Sequence, residues 1–162
     1  MPDGKFCTCE ECARSKYGPI GNEERLGRVG INPRHVKNGV LKPGIFPPTH
    51  LERKGLSVTR VDVIDLDELT KQAQKQVINE GEMVEGVVLL ETAVIRAEID
   101  EHGNRCLCAF DDPVDGNEAH ACILRSANQD ETEIRRLRGR LLELYPKTTP
   151  LSEVYPAGDG ES

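Results

Sequence analysis

The sequence predicts an α+β fold: an antiparallel sheet, read as a meander, packed against two helices, with a loop-rich N-terminal segment. Three observations carry this. Short apolar runs broken by turn formers fill residues 84–124 and read as hairpin strands. Two stretches, opening at Asp65 and near Asp130, repeat apolar residues at helical spacing. Residues 36–51 hold Pro43, Pro47 and Pro48 with Gly39 and Gly44, which rules out a long helix there.

Taken in order, residues 1–24 are polar and end in the turn formers of 17–22, an appendage to the main body. A strand is expected over 26–31, stopped by Asn32 and Pro33, and then the extended segment of 36–51. The alternation in 56–61 suits a half-buried strand. Asp65 is placed to cap a helix, with Glu68 three residues on completing an Asp version of the capping box. Leu66, Leu69, Ala73 and Val77 line its apolar face, and Gly81 is its expected stop. The β-branched run of 84–99 is apolar enough at 87–90 to be buried on both faces. Glu91-Thr92 divides it, and residues 94–99 suit either a strand or a short helical turn. Strands over 105–110 and 119–124 flank a polar loop at 111–117. The last helix, about 130–145, has acidic residues in its first turn and arginines after them, the order that suits the helix dipole. Residues 25–146 thus form one α+β domain, and 147–162 a mobile tail.

The chain has 162 residues, no Trp, three Phe and three Tyr, so its core must be mainly aliphatic. No apolar run approaches the ~20 residues needed to span a bilayer. The first residues lack the apolar stretch of a signal peptide. A cytoplasmic protein is the expectation, in which close-spaced cysteines serve as metal ligands or free thiols more often than as disulfides. Charge is uneven: residues 1–60 carry eleven Lys/Arg against six Asp/Glu, and residues 61–133 carry five against eighteen. The favoured reading is that these opposite charges settle against each other within the fold or a homodimer. The alternative is that the basic part steers an anionic ligand.

The chemistry-bearing residues fall in three groups. Cys9 and Cys12 form a C-x-x-C pair, with Cys7 close by, a spacing that lets one turn offer sulfurs to a tetrahedral zinc. His35 is the nominated fourth ligand, with His50 and the second-half cysteines as other candidates. The second group is Cys106, Cys108, His120 and Cys122. A hairpin folding about Asp115 would set Cys108 opposite Cys122 and place all four on one face. The competing reading makes those cysteines small core residues. The third group is the loop of 111–118, whose carboxylates surround Asn117; Pro113 and Cys122 fall where an EF-hand needs ligands, which excludes that motif.

No P-loop, dinucleotide fingerprint or hydrolase elbow occurs. The arginines of 135–140 read as a solvated helix face rather than a nucleic-acid contact. The leading expectation is therefore a small zinc-binding interaction or regulatory protein without catalytic activity. Its partner would be a protein or a second copy rather than nucleic acid or membrane. The alternative is a small nucleotide- or phosphoester-processing enzyme. In it His120 is acid or base, Asp112 and Asp115 contact a metal or ribose, and Arg34 and Arg60 clamp an anion.

Overall fold

The computed structural model describes residues 9–126 and 130–156. In chain order the strands and helices are β1 (Arg25–Asn32), β2 (Val36–Lys37), β3 (Val40–Leu41), β4 (Leu56–Arg60), α1 (Leu66–Gln74), β5 (Met83–Glu91), α2 (Thr92–Ala97), β6 (Leu107–Asp111), β7 (His120–Arg125) and α3 (Glu131–Leu144). Five strands form one antiparallel sheet in the order β5-β1-β4-β7-β6, and β2 with β3 makes a small hairpin. Only β6 and β7 are neighbours in the large sheet and also consecutive in the chain.

Local chemistry accounts for most element ends. Asp65 accepts the Glu68 N–H at 2.9 Å and Asp130 accepts that of Glu133 at 2.9 Å, so each caps its helix as an acid at that position should. Helix α1 stops at Gln74, short of Gly81. The Ile78 and Asn79 N–H groups, which a longer helix would use internally, bond to the Glu82 carboxylate instead. The run of 84–99 divides at Glu91, and its second half is helical. There the Thr92 and Ala93 N–H groups turn to the carbonyls of Glu24 and Asn22.

The sheet is covered on both faces. Leu26, Val58, Leu90, Ala109 and Ile123 share one face and pack against Ile95 of α2 and Ile134, Leu137 and Leu141 of α3. On the other face Val29 and Val87 meet Leu69 and Ala73 of α1 together with Val154. That last contact belongs to the expected tail, whose described residues are fastened to the body. Thr149 exchanges backbone hydrogen bonds with Val87, and the Tyr155 hydroxyl donates to the Val61 carbonyl at 2.7 Å. Residues 157–162 lie outside the described residues.

The N-terminal arm is fastened as well. The Glu10 carboxylate accepts the Ala109 N–H on the outer edge of β6 at 2.9 Å, and it pairs with Arg96 and Arg105. Asp111, fully buried, accepts the N–H groups of Arg14 and Ser15, the Ser15 hydroxyl and Arg60. The arm therefore covers the unpaired edge that a five-stranded sheet would otherwise expose.

One irregularity matters for function. Strands β1 and β4 pair only at Leu26↔Arg60 and Gly27↔Thr59, then diverge. The Arg28 guanidinium fills the gap, donating to the Ile45 carbonyl at 2.8 Å and the Ser57 carbonyl at 3.0 Å. A side chain thus takes the place of a ladder bond, and a basin opens beside it. No helix among the described residues is long and apolar enough to cross a membrane.

Candidate metal site

The β6–β7 hairpin positions the most reactive residues. Its register sets Cys108 opposite Leu124 and Phe110 opposite Cys122. The expected pairing of Cys108 with Cys122 is displaced by two residues because the loop closes about Gly116, whose φ of +81° suits glycine, rather than about Asp115. A shift of two leaves the faces unchanged, so Cys108, Phe110, Cys122 and Leu124 still cluster on one side.

Cys106 does not join them. Its N–H bonds to the Glu98 carbonyl at the end of α2, and its side chain turns into the main core under α3. Burial, outweighing the nearby Arg136, raises its thiol to about 11. The Cys₃His face expected from strand alternation therefore loses Cys106, and it loses Cys108 too, which is disulfide-bonded. Cys122 remains as a free, buried thiol.

Asp112, His120 and Cys122 converge where β7 begins. The Cys122 Sγ donates to Asp112 Oδ2 at 3.1 Å, and His120 Nδ1 lies 3.4 Å from the same oxygen. Nδ1 is also 2.6 Å from the Asp112 backbone carbonyl. Since a carbonyl only accepts, Nδ1 carries a ring proton and donates it. The Cys122 thiol is pushed up by burial and then by the Asp112 charge beside it. Arg14 supplies the nearest cation, its Nη1 3.7 Å from Asp112 Oδ1. The three side chains can hold a metal ion: each offers a donor atom, and the donors lie within 4.8 Å of one another.

The other nominated ligands are placed differently. Cys9 and Cys12 are joined to each other as a disulfide, and an oxidised pair offers no thiolate to zinc. Cys7 lies outside the described residues. His35 sits in the turn after β1, where its Nδ1 accepts the Ile31 N–H at 3.1 Å. Among the described residues it belongs to no cluster of metal-ligating side chains.

The two nominated anion clamps also part company. Arg60 is 1% exposed, with its guanidinium spent on Glu24, Asp111 and the Gly18 carbonyl. Burial works against its charge, but the Glu24 and Asp111 carboxylates prevail and its pKa rises. It is an internal counter-ion, closed to any ligand. Arg34 pairs with Glu82 through Nε and Nη2 and lines the basin opened at Arg28. That basin, about 380 Å³, also receives His35, His50, Lys75, Asp115 and the other side of His120. An enzyme of the alternative kind needs a concavity uniting His120 with an arginine and a loop carboxylate, and these residues meet here. Asp112 contacts the opposite edge of the imidazole. Arg28 and Lys75 escaped sequence reasoning; the one available signal was a charge set between Gly27 and Val29 inside an apolar strand.

No protein family, curated protein or solved structure matches the chain.

Proposed function

We propose that the protein binds a zinc-class divalent ion through Asp112, His120 and Cys122, with one coordination position left to solvent. The supporting observation is the placement of two different donors about one carboxylate oxygen: sulfur at 3.1 Å and nitrogen at 3.4 Å. Zinc arms of ~2.1–2.3 Å directed to the corners of a tetrahedron put donor atoms ~3.4–3.7 Å apart. Both separations from the carboxylate oxygen are within tenths of an ångström of that spacing, and all three donors lie within 4.8 Å of one another. Thiolate and imidazole together favour zinc over magnesium or calcium, which prefer oxygen alone. Binding releases the Cys122 proton and takes the His120 proton off Nδ1. The cation then relieves the repulsion that keeps this thiol protonated next to Asp112.

Three protein ligands with an open fourth position are the arrangement of ions that activate water or polarise a substrate; ions that staple a fold are usually enclosed by four. This favours the enzymatic alternative over the interaction protein. Metal titration of chelator-treated protein tests the reading. One equivalent of zinc should bind, and cobalt should give a sulfur-to-metal absorption band. Cys122→Ser should weaken binding by more than the ~10–100-fold that accompanies loss of an outer partner. Arg14→Gln removes a competing cation and should tighten it by roughly 2–5-fold. Metal retained by Cys122→Ser but lost from the Cys9→Ser/Cys12→Ser double variant would move the site to the arm and defeat the proposal.

A further inference from the structure

We infer that the basin between β1 and β4 is a binding site for a small phosphorylated polyhydroxy compound, of the sugar-phosphate class. Arg28 is its central group. The two hydrogen bonds of this arginine go to neutral backbone carbonyls, and it forms no ion pair with any described carboxylate. A guanidinium held in the gap of a sheet without a counter-ion is costly. Burial, and then the neighbouring Arg34, draw its pKa down to about 10. Lys75 adds a second cation, bonded to the Gly116 carbonyl and to no carboxylate among the described residues, and Arg34 a third, partly offset by Glu82. Against these three the basin lining offers one carboxylate, Asp115.

Imidazoles complete the anion site. Because His35 Nδ1 accepts from Ile31, its proton resides on Nε2, which has no partner among the described residues. His35 is 8% exposed and lines the basin. Arg28, which also lines the basin, has no partner for Nη2 among the described residues. His35 and His50 are both kept neutral, chiefly by burial and then by Arg28 and other cations. A phosphate would meet neutral N–H donors as well as full charges, a mixture that binds its several oxygens.

The rest of the lining decides what carries the phosphate. Ser57, Gln76 and Asn117 supply hydroxyl and amide groups, the natural partners of sugar hydroxyls. Among the described residues the lining holds no Phe or Tyr on which a nucleobase would stack. A volume of about 380 Å³ suits a small compound rather than a polymer. The cations and neutral donors of the anion site, Arg28, Arg34, Lys75, His35 and His50, are not metal ligands, so the anion can bind without the metal.

Calorimetry on chelator-treated protein tests it, so failure of the metal reading cannot imitate failure of this one. Ribose 5-phosphate should bind saturably at one site, more tightly than inorganic phosphate, and ribose itself should not. Arg28→Met should weaken binding at least ~tenfold, the loss of one charge-assisted contact of about 1.4 kcal/mol or more. Since that variant alters a buried strand, Lys75→Ala and His50→Gln at accessible positions provide the second test and should each weaken binding several-fold. Absence of saturable phosphate binding, or affinity unchanged in both accessible variants, overturns the site. Equal affinity for inorganic phosphate and ribose 5-phosphate overturns the polyhydroxy assignment.

Discussion

His35 is 8% exposed, accepts a backbone hydrogen bond, and faces Arg28 and Arg34, with Glu82 the nearest opposing charge. Burial and then the two arginines hold its pKa at about 4, against 6.5 for an ordinary histidine. The sign of the consequence depends on which state binds the proton. Between pH 6.5 and 4 the unfolded chain takes it and the folded chain does not. Stability therefore falls as pH drops through that window, by up to ~1.4 kcal/mol per pH unit for a single group. His35→Gln keeps an acceptor for Ile31 and removes the titration. Urea unfolding at a series of pH values should show a shallower acid loss in the variant than in the wild type. Equal slopes would mean that His35 has the same pKa in the folded and the unfolded chain.

Among the elements, the N-terminal arm depends most on one residue of the sheet. Arg60 in β4 joins Asp111 of β6 to Glu24 and to the Gly18 carbonyl of the arm, and Asp111 in turn receives Arg14 and Ser15. Arg60→Met fills similar space but leaves Asp111 buried without its counter-ion, held only by the Arg14 and Ser15 donors. The expected cost is ~3–5 kcal/mol in chemical denaturation, with faster proteolysis of the arm at Lys16. Replacing Asp111 as well, by Asn, should recover part of the loss, because the orphaned charge is the main cost.

The same elements show what could be read beforehand. The cap at Asp65 was legible because a cap is a matter of three residues. The shared face of His120 and Cys122 was legible because strand alternation survives a two-residue register shift. Cys106 was not, since its N–H is diverted to a distant carbonyl, that of Glu98, while its own carbonyl still accepts from Ser126. Nor was the early end of α1, where Glu82 competes for the N–H groups. The C-x-x-C spacing fits zinc and a disulfide equally well, so spacing alone could not choose between them. The basin depends on strand divergence, for which an isolated arginine in an apolar run is thin evidence.

At the scale of the whole molecule, the uneven charge of the sequence resolves largely into internal pairs. Arg14, Arg25, Arg34 and Arg60 from the basic part meet Asp112, Asp62, Glu82 and Asp111 from the acidic part. Arg28 is left out of this settlement, and it lies across His120 from the metal triad. The imidazole thereby couples the two proposed sites. Without metal, Nδ1 spends its proton on the Asp112 carbonyl. With metal on Nδ1, Nε2 carries the proton and serves as a donor, while the ion adds a net positive charge after the thiol proton leaves. Zinc should therefore tighten ribose 5-phosphate binding, by about tenfold if the coupling is of ordinary size, and the ligand should tighten zinc by the same factor. Titrating each ligand in the presence and absence of the other measures both factors. Unequal factors would point to an additional bound species. Factors of one would show that His120 does not carry the coupling, even if both sites are occupied.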